Sequence, residues 1–179
     1  PPYAPSAEDR SECADFNRSV LAFLARSPDI EVVVLATHQS THRLDKRLVP
    51  LPGQTELPGT PVWPELEQMA ATAAAVRALG RRVVYVGPPP MSGFDVGRCL
   101  QAVDEGRPLR GADFPDCSID AEHYRRYRAS ALRYTAQLPV AGMPVFALEA
   151  VLCDATRCRT RIAGVGLYRD GGHLSIEGS

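Results

Sequence analysis

The chain has 179 residues, 45% of them hydrophobic and 23% charged, which is the balance of a globular domain and excludes a disordered, collagenous or coiled-coil chain. Twenty basic against 21 acidic residues leave a net charge of -1, which excludes a nucleic-acid binder relying on bulk positive charge. The length suits a single domain, and the longest apolar runs, such as Val32 to Ala36, are too short to span a bilayer.

Pro1-Pro2-Tyr3 has neither the basic nor the apolar region of a signal peptide, so any targeting element is expected outside the chain. Phe16, Val20, Leu21 and Leu24 recur at helical spacing and predict a helix over Asp15 to Arg26, ended by Pro28. Glu31 to Ala36 predicts a strand, and its β-branched run Val32-Val33-Val34 suits burial on both faces. Residues 37 to 63 hold several Pro and Gly without periodicity and read as a long loop, of the kind that carries function. A helix follows from Pro64, with Leu66, Met69, Ala73 and Val76 on one face and Gly80 as its stop. Arg82 to Val86 predicts a second buried strand, halted by Gly87-Pro88-Pro89-Pro90. Gln101 to Asp116 reads as a Gly/Pro/Arg-rich loop. A helix over Asp120 to Leu138 is expected, capped by Asp120 and stapled by Ile119 and Tyr124, with a third strand at Pro144 to Leu148.

This alternation of strands and helices predicts an α/β layer fold with parallel pairing and right-handed crossovers. The site is then expected outside the carboxyl ends of the strands, among Thr37 to His42, Gly87 to Gly93 and Glu149 to Cys153.

Five cysteines are an odd count, with no Cys-x-x-Cys and no zinc-like spacing of the four histidines, so no metal site is expected. Cys153 and Cys158 flank the polar stretch Asp154 to Arg157. Cys99 and Cys117 bracket the 101 to 116 loop, where a bridge would remove about 3 kcal/mol of unfolded-state entropy. That pairing leaves Cys13 alone, whereas a cytosolic setting would leave all five as thiols.

The segment with most chemical content closes the chain: Tyr168-Arg169-Asp170-Gly171-Gly172-His173-Leu174-Ser175. An Asp three residues before a His, with two glycines between, allows a tight turn in which the carboxylate fixes the imidazole tautomer and the other ring nitrogen acts as base. A second copy of the spacing, Asp120-Ala121-Glu122-His123, is explained by Asp120 as helix cap and His123 in a solvated first turn.

The block Tyr168 to Gly178 resembles the closing block of SGNH-type serine acyltransferases and esterases. In particular it resembles the periplasmic SGNH domain fused to acyltransferase-3 membrane proteins, where Tyr-x-Asp-x-x-His-Leu-Ser-x-x-Gly recurs. Val32 to Ala36 resembles that family's central strand, Val83-Tyr85-Val86 with its following prolines resembles the next, and a Cys-rich stretch before the last block is also typical. The resemblance implies a three-layer α/β/α sandwich with a mostly parallel sheet. It implies an O-acyl transferase, commonly of acetyl groups, that acts on a cell-envelope polysaccharide in the periplasm. The partner would be a fused or adjacent transmembrane acyltransferase-3 domain, with acetyl-CoA as ultimate donor through that partner, no cofactor or metal in this domain and no nucleic acid. His173 would take a proton from a serine, and Asp170 would orient and stabilise the imidazolium.

The family's serine lies in a Gly-Asp-Ser block on the first strand, and this chain has neither Gly-Asp-Ser nor Gly-x-Ser-x-Gly. The first strand and the nucleophile are therefore expected upstream of Pro1. A family cysteine just before Pro1-Pro2 would be the partner of Cys13, and the implied periplasmic setting supports the bridges Cys99–Cys117 and Cys153–Cys158. Where many relatives have an oxyanion-hole Gly-x-Asn-Asp block, this chain has Ala36-Thr37-His38-Gln39, so His38 or Gln39 is a candidate oxyanion or substrate donor, against a plain loop role.

Other features have simpler readings: Arg81-Arg82 and Arg125-Arg126 as solvated charges, His42, Arg43 and Arg47 as surface loop residues, Trp63 as a packing residue. Ser175 is expected to bond backbone near the turn and not to be the nucleophile. Two other functions share the fold expectation. One is an esterase that uses the same His173 and Asp170 to deacetylate glycans. The other is a non-catalytic envelope glycan-binding domain.

Overall fold

The computed structural model describes residues 7–36, 64–107, 111–140 and 142–179. The first helix, α1 (Ala7–Arg26), leads through Pro28 into β1 (Val32–Leu35), followed by α2 (Pro64–Ala78) and β2 (Arg82–Val86). Gly80 ends the α2 segment at φ 79°, a left-handed conformation that costs glycine nothing. Then come α3 (Val96–Asp104), β3 (Ile119–Asp120), α4 (Ala121–Tyr127), α5 (Ala129–Gln137) and β4 (Val145–Phe146). The chain continues through α6 (Leu148–Leu152), β5 (Arg157–Cys158), β6 (Arg161–Ile162) and β7 (Val165–Gly166).

Strands β1, β2 and β4 form a parallel three-stranded sheet in that order, with Val33 opposite Val83 and Tyr85 opposite Val145. This is the α/β pattern expected from the alternation of elements. One face of the sheet carries Val33, Leu35, Val83, Tyr85 and Val145, which pack with Leu24 of α1, Ala73 and Val76 of α2 and Tyr134 of α5 in one core. The opposite face carries Val32, Val34 and Phe146, which are 42%, 57% and 49% exposed. The expected two-sided burial of β1 is therefore corrected. β1 is an edge strand among the described residues, and β-branched composition suits a pleated surface whether one face is covered or both.

Three other expectations are revised. The segment read as a loop from Gln101 begins inside α3, whose Val96, Cys99, Leu100 and Val103 follow helical spacing and whose start is capped by the Asp95 carboxylate accepting from Arg98 N at 2.9 Å. The helix expected over Asp120 to Leu138 is broken at Arg128, which leaves helical geometry at φ -107°, ψ 16° and is itself buried. Arg81 is not simply solvated: its guanidinium donates to the carbonyls of Leu24 and Ser27 at 3.3 and 3.1 Å, satisfying the end of α1. Arg82 does remain exposed, beside Glu31.

A second core gathers the chain's last third onto α3 and α4. Val96, Cys99, Leu100, Cys117, Ile119, Tyr124, Leu152, Cys158, Leu167 and Tyr168 are all buried in it. The two expected disulfides are formed there, Cys99–Cys117 with Cα atoms 5.8 Å apart and Cys153–Cys158 with Cα atoms 3.9 Å apart. Ile119 and Tyr124 share this core, as the staple reading requires. Among the described residues no helix is long and apolar enough to cross a membrane.

Candidate active site

The closing block is held to the second core by Leu167 and Tyr168. Burial of its ring pushes the Tyr168 phenol's pKa upward, so it stays protonated, and it donates to Pro90 O at 2.9 Å. A bridge between Tyr168 and Leu174 and a bond from Arg169 N to His173 O at 2.9 Å close residues 169–173 into a tight turn. Two glycines outside the turn let other backbone come against it. A Cβ on Gly97 would fall on the Arg169 carbonyl oxygen and within 2.7 Å of Asp170 N, and a Cβ on Gly178 would fall on the Leu167 backbone.

Inside this turn the Asp170 carboxylate accepts from Gly172 N and from His173 N, each at 2.9 Å, and both of its oxygens lie 2.9 Å from His173 Nδ1. The backbone donor of Gly172 comes first, and the His173 ring second, in holding the Asp170 carboxyl down to about 2, so it is ionised at any physiological pH. An ionised partner at Nδ1 places the ring proton there and makes Nε2 the basic nitrogen. The His173 side chain is 59% exposed, so Nε2 is within reach of a group in solution. The geometry is that of the orienting half of a nucleophile–base–acid relay, with imidazole and carboxylate in place.

The loop after β2 supports the turn from below. Met91 lies against Gly172, whose added Cβ would meet Met91 Cε at 2.7 Å, and Phe94 O lies against Gly171. This agrees with the expected placement of Gly87 to Gly93 at the carboxyl end of a strand. Ser175 also behaves as expected: its hydroxyl donates to Gly166 O at 2.8 Å and accepts from Gly178 N at 3.0 Å. Glu149 to Cys153 is mostly the short helix α6, in which Glu149 accepts from Arg125 Nε at 3.0 Å, while Arg126 pairs with Glu122 on the surface.

His38 and Gln39 lie outside the described residues, as do Thr37 to His42, Arg43, Arg47 and Trp63, and so does the side chain of Cys13 within α1. Asp120 caps α4 as expected, accepting from His123 N at 2.6 Å. The His123 ring, however, is not merely solvated. Its Nδ1 lies 2.9 Å from Asp113 Oδ1, a carboxylate in the 101 to 116 segment that sequence spacing does not connect to it. No sequence spacing points to the pair: Cys117, bridged to α3 and set at φ 63°, lies in the turn that brings Asp113 back to the start of α4, where Oδ2 accepts from Asp120 N at 3.0 Å.

No curated protein matches the chain. Among solved structures it is similar to the periplasmic domain of a lipopolysaccharide acetyltransferase from Salmonella ser. Paratyphi A, at 15% identity and a TM-score of 0.52, covering 90% of this chain and 57% of that one. The likeness is one of fold, and the chain spans a little over half the length of that relative. The model of the SGNH domain (fused to AT3 domains) matches residues 1–179. That match over residues 1–179 places the chain in the family of SGNH domains (fused to AT3 domains).

Proposed function

We propose that this domain transfers O-acyl groups, acetyl in the simplest case, to a cell-envelope polysaccharide through an acyl-serine. The observation that carries the reading is the Asp170–His173 pair, with the carboxylate locked by two backbone donors and bonded to Nδ1 through both oxygens. Family membership supports acyl transfer as the reaction class, and the likeness to a lipopolysaccharide acetyltransferase supports acetyl as the group.

In this reading the serine comes from sequence N-terminal to residue 1, because Gly-Asp-Ser is absent from the chain. His173 Nε2 takes the serine proton as Oγ attacks the acyl carbonyl, and the donor's leaving group departs with that proton. The acceptor hydroxyl then attacks the acyl-serine, giving its proton to His173, which returns one to the serine oxygen as the ester bond to the enzyme breaks. Asp170 stays ionised throughout and stabilises the imidazolium formed in each half-reaction. A transmembrane acyltransferase-3 partner would deliver the acyl group on the periplasmic side, drawing ultimately on acetyl-CoA.

The test is to trap the intermediate in the full-length protein. Intact-mass analysis after supply of acyl donor is expected to find one acyl group on a serine in the wild type and none in His173→Ala. Equal acylation of the two proteins would refute the proposal.

A further inference from the structure

The second histidine pair has a construction that helix capping does not require. Asp113 is a nearly buried carboxylate, its side chain 10% exposed, and it makes three separate bonds. Oδ2 accepts from Ser92 Oγ at 2.5 Å and from Asp120 N at 3.0 Å, and Oδ1 faces His123 Nδ1 at 2.9 Å. The carboxylate is thus immobilised, and it fixes the imidazole with its Nδ1 proton inward and Nε2 away from Asp113. Ser92 is buried and committed to the carboxylate, not to the imidazole, so this is not a second nucleophile relay.

One turn further along α4, the Tyr127 ring stands edge-on to His123 with centroids 6.3 Å apart, 42% exposed, and Gly93 leaves room beside its Cε2, Cζ and hydroxyl atoms. A Cβ on Gly93 would lie 3.2 Å from that ring. The segment Gly87 to Asp95 therefore touches both histidine sites. Met91 and Phe94 support the His173 turn, while Ser92 and Gly93 support Asp113 and Tyr127. The two imidazoles flank one loop at the carboxyl end of β2.

We propose that His123 and Tyr127 form an acceptor subsite, resting on the acyl-transfer reading: Nε2 of His123 accepts a hydrogen bond from a sugar hydroxyl other than the one acylated, and Tyr127 packs on the sugar ring. An acceptor nitrogen held in one tautomer suits a neutral hydroxyl, and a half-exposed phenol ring offers both an apolar face and a polar edge to a sugar. His123 is on this account a positioning residue and takes no proton from the attacking hydroxyl.

The experiment measures binding of oligosaccharide repeat units, prepared from the source organism's envelope polysaccharide and stripped of O-acyl esters by mild base, to the full-length protein by calorimetry. His123→Asn keeps a donor where Nδ1 stands, so it preserves the bond to Asp113, and removes Nε2 with the rest of the ring. The subsite predicts that His123→Asn and Tyr127→Ala each raise Kd about tenfold, with the thermal midpoint of His123→Asn unchanged. Wild-type Kd in both variants, or no binding by the wild type, would overturn the inference. The acyl-transfer reading fails separately: wild-type protein that binds the oligosaccharide at His123 but never forms an acyl-serine would keep the subsite and sink the transferase.

Discussion

In the proposed reaction the chemistry turns on the Asp170 carboxylate, whose two backbone bonds are made before any substrate arrives. Asp170→Asn would still meet the backbone donors through its amide oxygen. It would present an amide to His173, lose the charge that stabilises the imidazolium, and favour the wrong ring tautomer. We expect it to lower the rate of acyl transfer by about a thousandfold or more, while leaving acceptor binding unchanged, as steady-state kinetics would read out. The depressed pKa has a signed consequence. A carboxyl held at about 2 in the folded chain, against 3.8 for an unperturbed aspartate, contributes stability that is full above about pH 4 and is lost as pH falls toward 2. NMR of the His173 ring and the Gly172 amide is expected to show the turn intact at pH 4 and loosening only near pH 2. Loss of both signals together at pH 4 would contradict the assignment.

At the scale of elements, the site is assembled by close backbone approach more than by side-chain packing. Gly97 on α3 abuts the Arg169 carbonyl, so Gly97→Ala must push the closing turn away from the helix. The change raises intrinsic helix propensity, yet it is expected to cut activity at least tenfold and to lower the melting temperature, a combination that circular dichroism and a turnover assay can check together. This contact also marks where sequence reading stops. The strand Arg82–Val86, the caps at Asp120 and Gly80 and the Asp170–His173 turn were legible, because each depends on residues a few positions apart. The helix α3 was half legible: Val96, Cys99, Leu100 and Val103 carry its period, but the flanking Gly and Pro mask its start. The break at Arg128 and the Asp113–His123 pair were not legible. The first is a single residue turned inward within an otherwise helical stretch, and the second joins residues ten apart through a disulfide-directed fold.

Across the whole described molecule, two cores divide the labour. The first covers one face of the parallel sheet, and the second, tied by the two disulfides, carries both histidine sites. The strands in this part of the chain are only two residues long, so the bridges reinforce a short sheet pairing. Cys99→Ala with Cys117→Ala is expected to cost about 2–5 kcal/mol, seen as a lower urea midpoint, and to loosen the Asp113 loop before the parallel sheet. The sheet face bearing Val32, Val34 and Phe146 stays open among the described residues.

In the proposed reaction His173 and Asp170 run acyl transfer to the envelope polysaccharide. It is tested most directly by measuring the O-acetyl content of that polysaccharide in cells whose only copy of the full-length protein carries His173→Ala. O-acetylation is expected to fall to the level of cells lacking the protein, at normal protein abundance. O-acetylation at the wild-type level would contradict it.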